Sequence, residues 1–340
     1  MTYKEIIKDI ESGLTGDSEI DALYLEGKIS DYKNHAFSEK ILGFCIDLLL
    51  EALSEEEREQ LKEWVERPGS RIKIALDEIE EDIQVGDYEN AQLTLEALIS
   101  GIEEIDDYED NEEVVYRTFH EPFELIMYED KFKDNRKEII GVPEPFDDIY
   151  LNYGRLLIEL KELKLAKEAL IKGKEWNPVN ANLLLCLADI YQIEGDLKKF
   201  LELTQEAFKI AFKPEQVASC FINLGDYFSI EKNYSPARSC YNLASFYDED
   251  NADINDGLKY VELATGINNN EVATEEIKVN SKKYNFPNTA DERLIELAIK
   301  QGKEALNENN FVMARYYFEI ADAISLDGKA ESYLELLPED

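Results

Sequence analysis

The sequence has few of the residues that interrupt helices. Nine prolines and sixteen glycines are spread over 340 residues, which is typical of a chain rich in long helices. No run of 18 apolar residues occurs, which predicts that no segment spans a membrane. The N-terminus mixes charged and apolar residues and lacks the apolar stretch of an export signal. We therefore expect a cytoplasmic protein.

Residues with reactive side chains are equally scarce. The four cysteines are far apart in sequence and form no CxxC pair: Cys45, Cys186, Cys220 and Cys240. This spacing predicts buried, reduced thiols rather than a metal or redox site. Of the two histidines, His120 begins an HE pair, but a zinc-protease helix needs a second histidine at 124, where the residue is Glu124. No phosphate-binding glycine loop or nucleophile elbow occurs, so we predict no catalytic residue, no metal and no cofactor.

The charge is strongly negative. The chain has 75 Asp and Glu against 36 Lys and Arg, a formal net charge of −39, of which −25 falls within residues 1–146. Such a field repels phosphate groups, so neither nucleic acid nor an anionic membrane is expected as a partner. It favours a neutral to basic protein or peptide, although solubility alone is a sufficient explanation of the charge.

A unit of 34 residues is clearest over 147–180. Its apolar side chains fall at helical spacing in two stretches, with a break near Glu162. The small residues Gly154 and Ala166 indicate where two antiparallel helices approach closely. Pro178 ends the second helix because proline lacks a backbone N–H donor. The unit therefore predicts a pair of helices.

Further units follow in nearly the same register, which predicts a stack of helix pairs. The units are 147–180, 181–214 and 218–251, then a divergent unit at 252–285 and partial matches at 295–328 and 72–105. A short helix over 329–337 would cap the last pair.

These units resemble the tetratricopeptide repeat. In the first unit the resemblance rests on Tyr150, Tyr153, Gly154, Leu157, Ala166, Leu170, Gly173 and Pro178. It implies an all-α fold, an α-solenoid of antiparallel helix pairs wound into a right-handed superhelix. It also implies a non-catalytic adaptor or regulator that binds a protein or peptide. We expect three parts: an N-terminal helical segment (1–70), divergent helix pairs with an acidic loop at 103–113 (71–146), and the solenoid (147–340).

In the tetratricopeptide family, the groove is lined by positions 2, 5, 6, 9, 12 and 13 of each first helix. Carried onto the three clearest units, these positions give a candidate peptide-binding groove at Leu151, Asn152, Arg155, Leu185, Asp189, Ile222, Asn223 and Asp226. Family members that bind chaperone tails hold a terminal carboxylate with Lys, Asn and Arg side chains. The corresponding residues here are Leu151 and Arg155, then Cys186, then Ser219 and Asn223. The carboxylate clamp is therefore absent, and an acidic tail is not the expected ligand.

The segment 112–146 departs from the repeat and concentrates charged and aromatic residues. We take four of them as a second candidate surface: Arg117, His120, Tyr128 and Arg136. Two alternatives to the adaptor remain open. Residues 1–113 could act as an acidic mimic or carrier that binds a basic protein, or 112–146 could hold an enzyme site. Homo-oligomer formation is also left open.

Overall fold

The computed structural model describes residues 3–15, single positions between 20 and 48, and residues 70–103, 108–132, 137–267 and 272–338. The chain divides into two compact units, Met1–Arg71 and Ile72–Asp340. In the first unit, helix α1 (Tyr3–Ser12) buries Ile6 and Ile10 within a small apolar cluster. Most of the predicted N-terminal helical segment, 1–70, lies outside the described residues.

Helices follow one another in pairs through the second unit. In chain order the elements are α2 (Ser70–Val85), α3 (Tyr88–Glu103), β1 (Val114–Thr118), α4 (Pro122–Lys131), β2 (Glu138–Val142), α5 (Phe146–Glu159), α6 (Leu163–Trp176), α7 (Ala181–Ile193), α8 (Leu197–Phe208), α9 (Pro214–Ile230), α10 (Tyr234–Ser245), α11 (Ala252–Thr265), α12 (Thr274–Tyr284), α13 (Glu292–Asn307), α14 (Phe311–Ile324) and α15 (Glu331–Leu334). Turns of three residues join α5 to α6, α7 to α8 and α9 to α10, so the helices of each pair are antiparallel neighbours. The predicted solenoid of antiparallel helix pairs is confirmed. Among the described residues, none of the helices has the length and hydrophobicity needed to cross a lipid bilayer.

Large side chains of the second helices pack against glycines of the first helices. Three pairs share this contact: Gly154 with Leu170, Gly225 with Tyr241, and Gly302 with Phe318. A Cβ atom on any of these glycines would lie 2.5 Å from its partner, which comes sixteen residues later in each pair. In α7 and α8 the same two positions hold Ala188 and Thr204, both buried. Here the first-helix residue is larger than glycine and the second-helix residue is smaller than Leu170, Tyr241 or Phe318, so this helix pair also keeps a close approach.

We expect Gly225→Ala to destabilise the protein by about 1–3 kcal/mol, because the new methyl group would overlap the Tyr241 ring. Gly101→Ala is a matched control, since Gly101 is exposed in helix α3 and a Cβ atom there would meet nothing within 4 Å. That control should gain roughly 0.5–1 kcal/mol from helix propensity. Urea unfolding measures both free energies, and equal effects at the two sites would contradict the packing argument.

The turn inside each helix pair uses a left-handed backbone conformation at one fixed position. Glycine occupies it at Gly86 and Gly195, with φ of 82° and 79°. The corresponding residues of other pairs are Lys161, Lys232 and Asn309, with φ of 64°, 61° and 60°. A lysine in this region is strained by roughly 1–2 kcal/mol because its Cβ approaches a carbonyl oxygen. The turn geometry is therefore imposed by the packing of the pair.

Replacement of Lys232 by glycine should relieve this strain. We expect Lys232→Gly to raise the free energy of unfolding by about 0.5–1 kcal/mol. Lys232→Ala is the control, because alanine removes the charge but keeps the strained Cβ, and it should leave the stability nearly unchanged. Thermal unfolding followed by circular dichroism compares the two variants. A gain from alanine as large as that from glycine would show that charge, not backbone strain, decides the effect.

A strand–helix–strand insertion interrupts the pairs between α3 and α5. Strands β1 and β2 are parallel, with Val114 paired to Glu138 and Thr118 to Val142, and α4 crosses between them. Within the described part of 71–146, the expected divergent helix pairs are therefore found only as α2 and α3, and a strand–helix–strand unit replaces the rest. Each strand has only five residues, too few for an alternating pattern to be distinguished from a short helical stretch.

The insertion also contacts the end of the solenoid. The Tyr316 hydroxyl in α14 donates to Glu121 Oε2 over 3.0 Å and accepts from the backbone N–H of Phe123. Lys213, just before α9, forms an ion pair with the same Glu121. The start of α4 is thereby held by residues far apart in sequence. The first helices α2, α5, α7 and α9 line a common surface.

Candidate functional site

First helices of successive pairs line one cavity of about 780 Å³, hereafter the groove. Seven of the eight predicted groove residues line it: Leu151, Asn152, Arg155, Leu185, Asp189, Ile222 and Asn223. The eighth, Asp226, is turned to neighbours instead: its carboxylate accepts from Tyr241 Oη at 2.7 Å and from Gln192 Nε2 at 3.1 Å. The structure therefore brings the residues of three helix pairs together.

Helix α2 supplies a further wall, which the sequence analysis did not include. Its contribution consists of Lys73, Leu76, Asp77, Glu80, Ile83 and Gln84. These residues occupy positions 2, 5, 6, 9, 12 and 13 of the partial unit 72–105. The sequence therefore contained the pattern that predicts this wall, but the groove positions were assigned only in the three clearest units. The groove is larger and more acidic as a result.

The apolar groove residues form its floor. Leu151 is 3% exposed, while Leu185 and Ile222 are each 7% exposed. These side chains already pack in the core and have little area left for a ligand. Polar residues remain accessible: Arg155 is exposed, and Asn152 is half-buried. The accessible part of the groove lining is therefore mainly polar.

Negative charge dominates the lining. The carboxylates are Asp77, Glu80, Asp148, Glu159, Asp189 and Asp253, against the two cations Lys73 and Arg155. Burial, with added repulsion from Asp226 and Asp253, raises the pKa of Asp189 to about 7 despite the opposing charge of Arg155. Burial also raises the pKa values of Asp148 and Asp226 above their ordinary range. The carboxylates that line the groove thus outnumber the cations that could neutralise them.

Comparison with protein families gives one match. Residues 147–180, which form α5 and α6 and their flanking residues, match the family model described as Tetratricopeptide repeat. The chain carries a tetratricopeptide repeat. Among curated proteins, nothing matches this sequence.

The chain is also similar to several solved structures. A tetratricopeptide repeat protein from Parabacteroides merdae ATCC 43184 is 12% identical, with 98% of each chain covered and a TM-score of 0.37. YrrB, described as a TPR protein with an unusual peptide-binding site, is 13% identical over 64% of this chain and 99% of its own, with a TM-score of 0.30. The APC/C hetero-tetramer Cut9-Hcn1 is 12% identical over 94% of this chain and 56% of that one, with a TM-score of 0.33.

The second candidate surface is only partly a surface. Tyr128 is 2% exposed, and its ring lies 4.6 Å from the Phe132 ring and 5.6 Å from the Phe119 ring, so its predicted surface position is wrong. Arg117 is mostly buried and pairs with Asp110 at 2.9 Å. Arg136 lies outside the described residues.

His120 lies in the loop between β1 and α4, whereas helix pairs were expected over this segment. Its side chain contacts a fully buried carboxylate. Its Nε2 atom is 2.9 Å from Asp147 Oδ2 at the start of α5. Asp147 is 0% exposed and also accepts from Thr118 at 2.9 Å, Asn177 at 3.0 Å and Asn180 at 2.9 Å. Sequence reasoning missed Asp147, because its partners come from three separate segments.

This network fixes the insertion onto the first tetratricopeptide repeat. Burial disfavours a charged imidazole, but the hydrogen bond and the charge of Asp147 outweigh it and raise the pKa of His120 to about 9. The charge of His120 and its hydrogen bond in turn lower the pKa of Asp147, against the effect of burial. One atom each of His120, Asp147 and Asp148 could approach a common cation, since these atoms lie within 4.8 Å of one another. Both Asp147 oxygens already accept hydrogen bonds, so the geometry is that of a structural ion pair.

The ion pair makes stability depend on pH. Because the folded-state pKa of His120 lies above its unfolded value, its contribution is fully present below pH 6.5 and is lost as the pH rises through about 9. We expect His120→Gln to cost about 1–2 kcal/mol at about pH 6 and clearly less at about pH 9.5. Urea unfolding at the two pH values measures this. Lys300→Gln, which removes an exposed cation paired with Glu304, is the control and should change stability little at either pH.

Proposed function

We propose that the protein is a non-catalytic adaptor or regulator that binds a neutral to basic protein or peptide segment in the groove. The observation that carries the proposal is the convergence of four first helices, α2, α5, α7 and α9, on one cavity whose lining is predominantly acidic. A volume of about 780 Å³ falls in the range of ordinary ligand sites. Helical-repeat scaffolds present such concave surfaces to partners.

The polar groups of the groove suit a peptide backbone. Asn152 uses its amide N–H to bond the Asp148 carbonyl at 2.9 Å, and Asn223 donates to Thr204 at 3.4 Å. Among the described residues, the side-chain carbonyl oxygens of both asparagines accept no hydrogen bond. They are therefore available to backbone N–H groups of a bound segment.

The charge of the lining selects among segments. Six carboxylates and two cations give a local excess of negative charge, which attracts basic side chains and repels acidic ones. Because the apolar floor is already buried, affinity should come mainly from these charges. Binding is therefore expected to weaken as salt screens them.

The charge of the groove can be reversed without touching its floor. Asp77 and Glu80 are exposed on α2, so we expect the double variant Asp77→Lys/Glu80→Lys to fold normally. It should bind a fluorescein-labelled peptide of alternating lysine and alanine at least about tenfold more weakly than the unmodified protein. Fluorescence anisotropy at about 50 mM and about 300 mM NaCl measures the affinity and its salt dependence.

The control reverses two charges elsewhere. Glu168 on α6 is exposed and Glu202 on α8 is partly exposed, both on second helices, and Glu168→Lys/Glu202→Lys changes the net charge equally. This control should retain nearly full affinity. Equal losses in both double variants would show that the peptide responds to the overall field and not to the groove. Equal binding of a glutamate–alanine peptide would also contradict the proposal.

A further inference from the structure

Among the described residues, one carboxylate of the groove is half-buried and has no partner. Asp189, on α7, lines the cavity and is half-buried, yet among the described residues it makes no hydrogen bond and no ion pair. Asp226 on the next first helix differs, since it accepts hydrogen bonds from Tyr241 and Gln192. A carboxylate removed from water without a partner is costly, so both oxygens of Asp189 are available for a strong interaction.

The groups that face Asp189 do not neutralise it. Arg155 on α5 lowers its pKa, but no ion pair links the two side chains within 4.0 Å. Asp226 on α9 and Asp253 on α11 add repulsion, and the thiol of Cys186 lies on its own helix. The remaining charged groups of the cavity are Lys73, Asp77 and Glu80 on α2 and Asp148 and Glu159 on α5. The cavity therefore carries an excess of negative charge, and Asp189 is its half-buried acid without a partner among the described residues.

We propose that Asp189 binds the guanidinium group of an arginine side chain in the bound segment. This inference rests on the proposed function and names the residue type that the groove selects. A guanidinium presents two parallel N–H groups, which match the two free oxygens of one carboxylate, whereas an ammonium cannot engage both in this way. The carboxylates of Asp253 and Asp226 supply further attraction.

The proposal predicts coupling between binding and protonation. In the free protein the pKa of Asp189 is raised to about 7, so near neutral pH a large part of the molecules carry it protonated. Only the ionised form can pair with a guanidinium. Affinity should therefore fall as the pH drops below 7, and binding should release a proton.

Two labelled peptides test the inference, one of alternating arginine and alanine and one in which citrulline, a neutral isostere, replaces arginine. With the unmodified protein we expect the arginine peptide to bind about tenfold more tightly at about pH 8 than at about pH 6, from the ionisation of one group with a pKa near 7. The lysine–alanine peptide should bind more weakly than the arginine peptide. The citrulline peptide should bind weakly and without pH dependence.

Asp189→Asn is the decisive variant, and Asp77→Asn is its matched control. Asp189→Asn should lose the preference for arginine over lysine and the pH dependence together. Asp77→Asn removes the same charge from the same cavity, at an exposed position, and should keep both. Thermal unfolding at about pH 8 checks that each variant is folded, and Asp189→Asn should be no less stable than the unmodified protein because it removes an unfavourable charge.

The outcomes separate this inference from the proposed function. If basic peptides bind and Asp77→Lys/Glu80→Lys weakens them, but Asp189→Asn keeps the arginine preference and the pH profile, the Asp189 site is wrong and the groove function stands. If no basic peptide binds the unmodified protein, the proposed function falls, and the arginine site falls with it.

Discussion

The Tyr241 ring determines the spacing of three helices. It lies against Gly225 of α9 and Gly257 of α11, and a Cβ atom on either glycine would come within 2.5 Å of the ring. Its hydroxyl donates to Asp226 of α9 at 2.7 Å. The side chain that packs these helices together therefore also holds Asp226 in place. Since Asp226 adds to the effect of burial in raising the pKa of Asp189, packing in the core contributes to the electrostatics of the groove.

Much of the fold could be predicted from the sequence, because close helix packing requires small residues at regular intervals along the chain. Gly154, Gly225 and Gly302 mark contacts that larger residues would prevent, and they recur at the same position of their units. The same register places groove-lining side chains, since a fixed position in each unit faces the same direction. Even the unit with Ile79 in place of the glycine obeys it: Ile79 and Leu95 are both fully buried, and α2 still contributes to the groove.

Other features could not be predicted because they depend on contacts between distant segments. The strands β1 and β2 are each short, and only their pairing across α4 distinguishes them from coil. The hydrogen-bond partners of Asp147 come from β1, the loop at His120 and the turn that contains Asn177 and Asn180. No local sequence pattern therefore predicts this network. The burial of Leu151 and Ile222 likewise depends on how neighbouring pairs stack. Register gives the direction of a side chain but not its exposed area.

A comparison of two aspartates shows how the molecule distributes unfavourable charge. Asp147 is fully buried, but His120 and three neutral donors satisfy it, and its pKa is lowered. Asp189 is more accessible, yet it has no donor among the described residues, and its pKa is raised to about 7. If the acidic residues served only to keep the protein soluble, a carboxylate without hydrogen-bond donors would be expected on an open surface, where water solvates it. Its position in the lining of a cavity formed by successive helix pairs instead supports the proposed role in binding a cation.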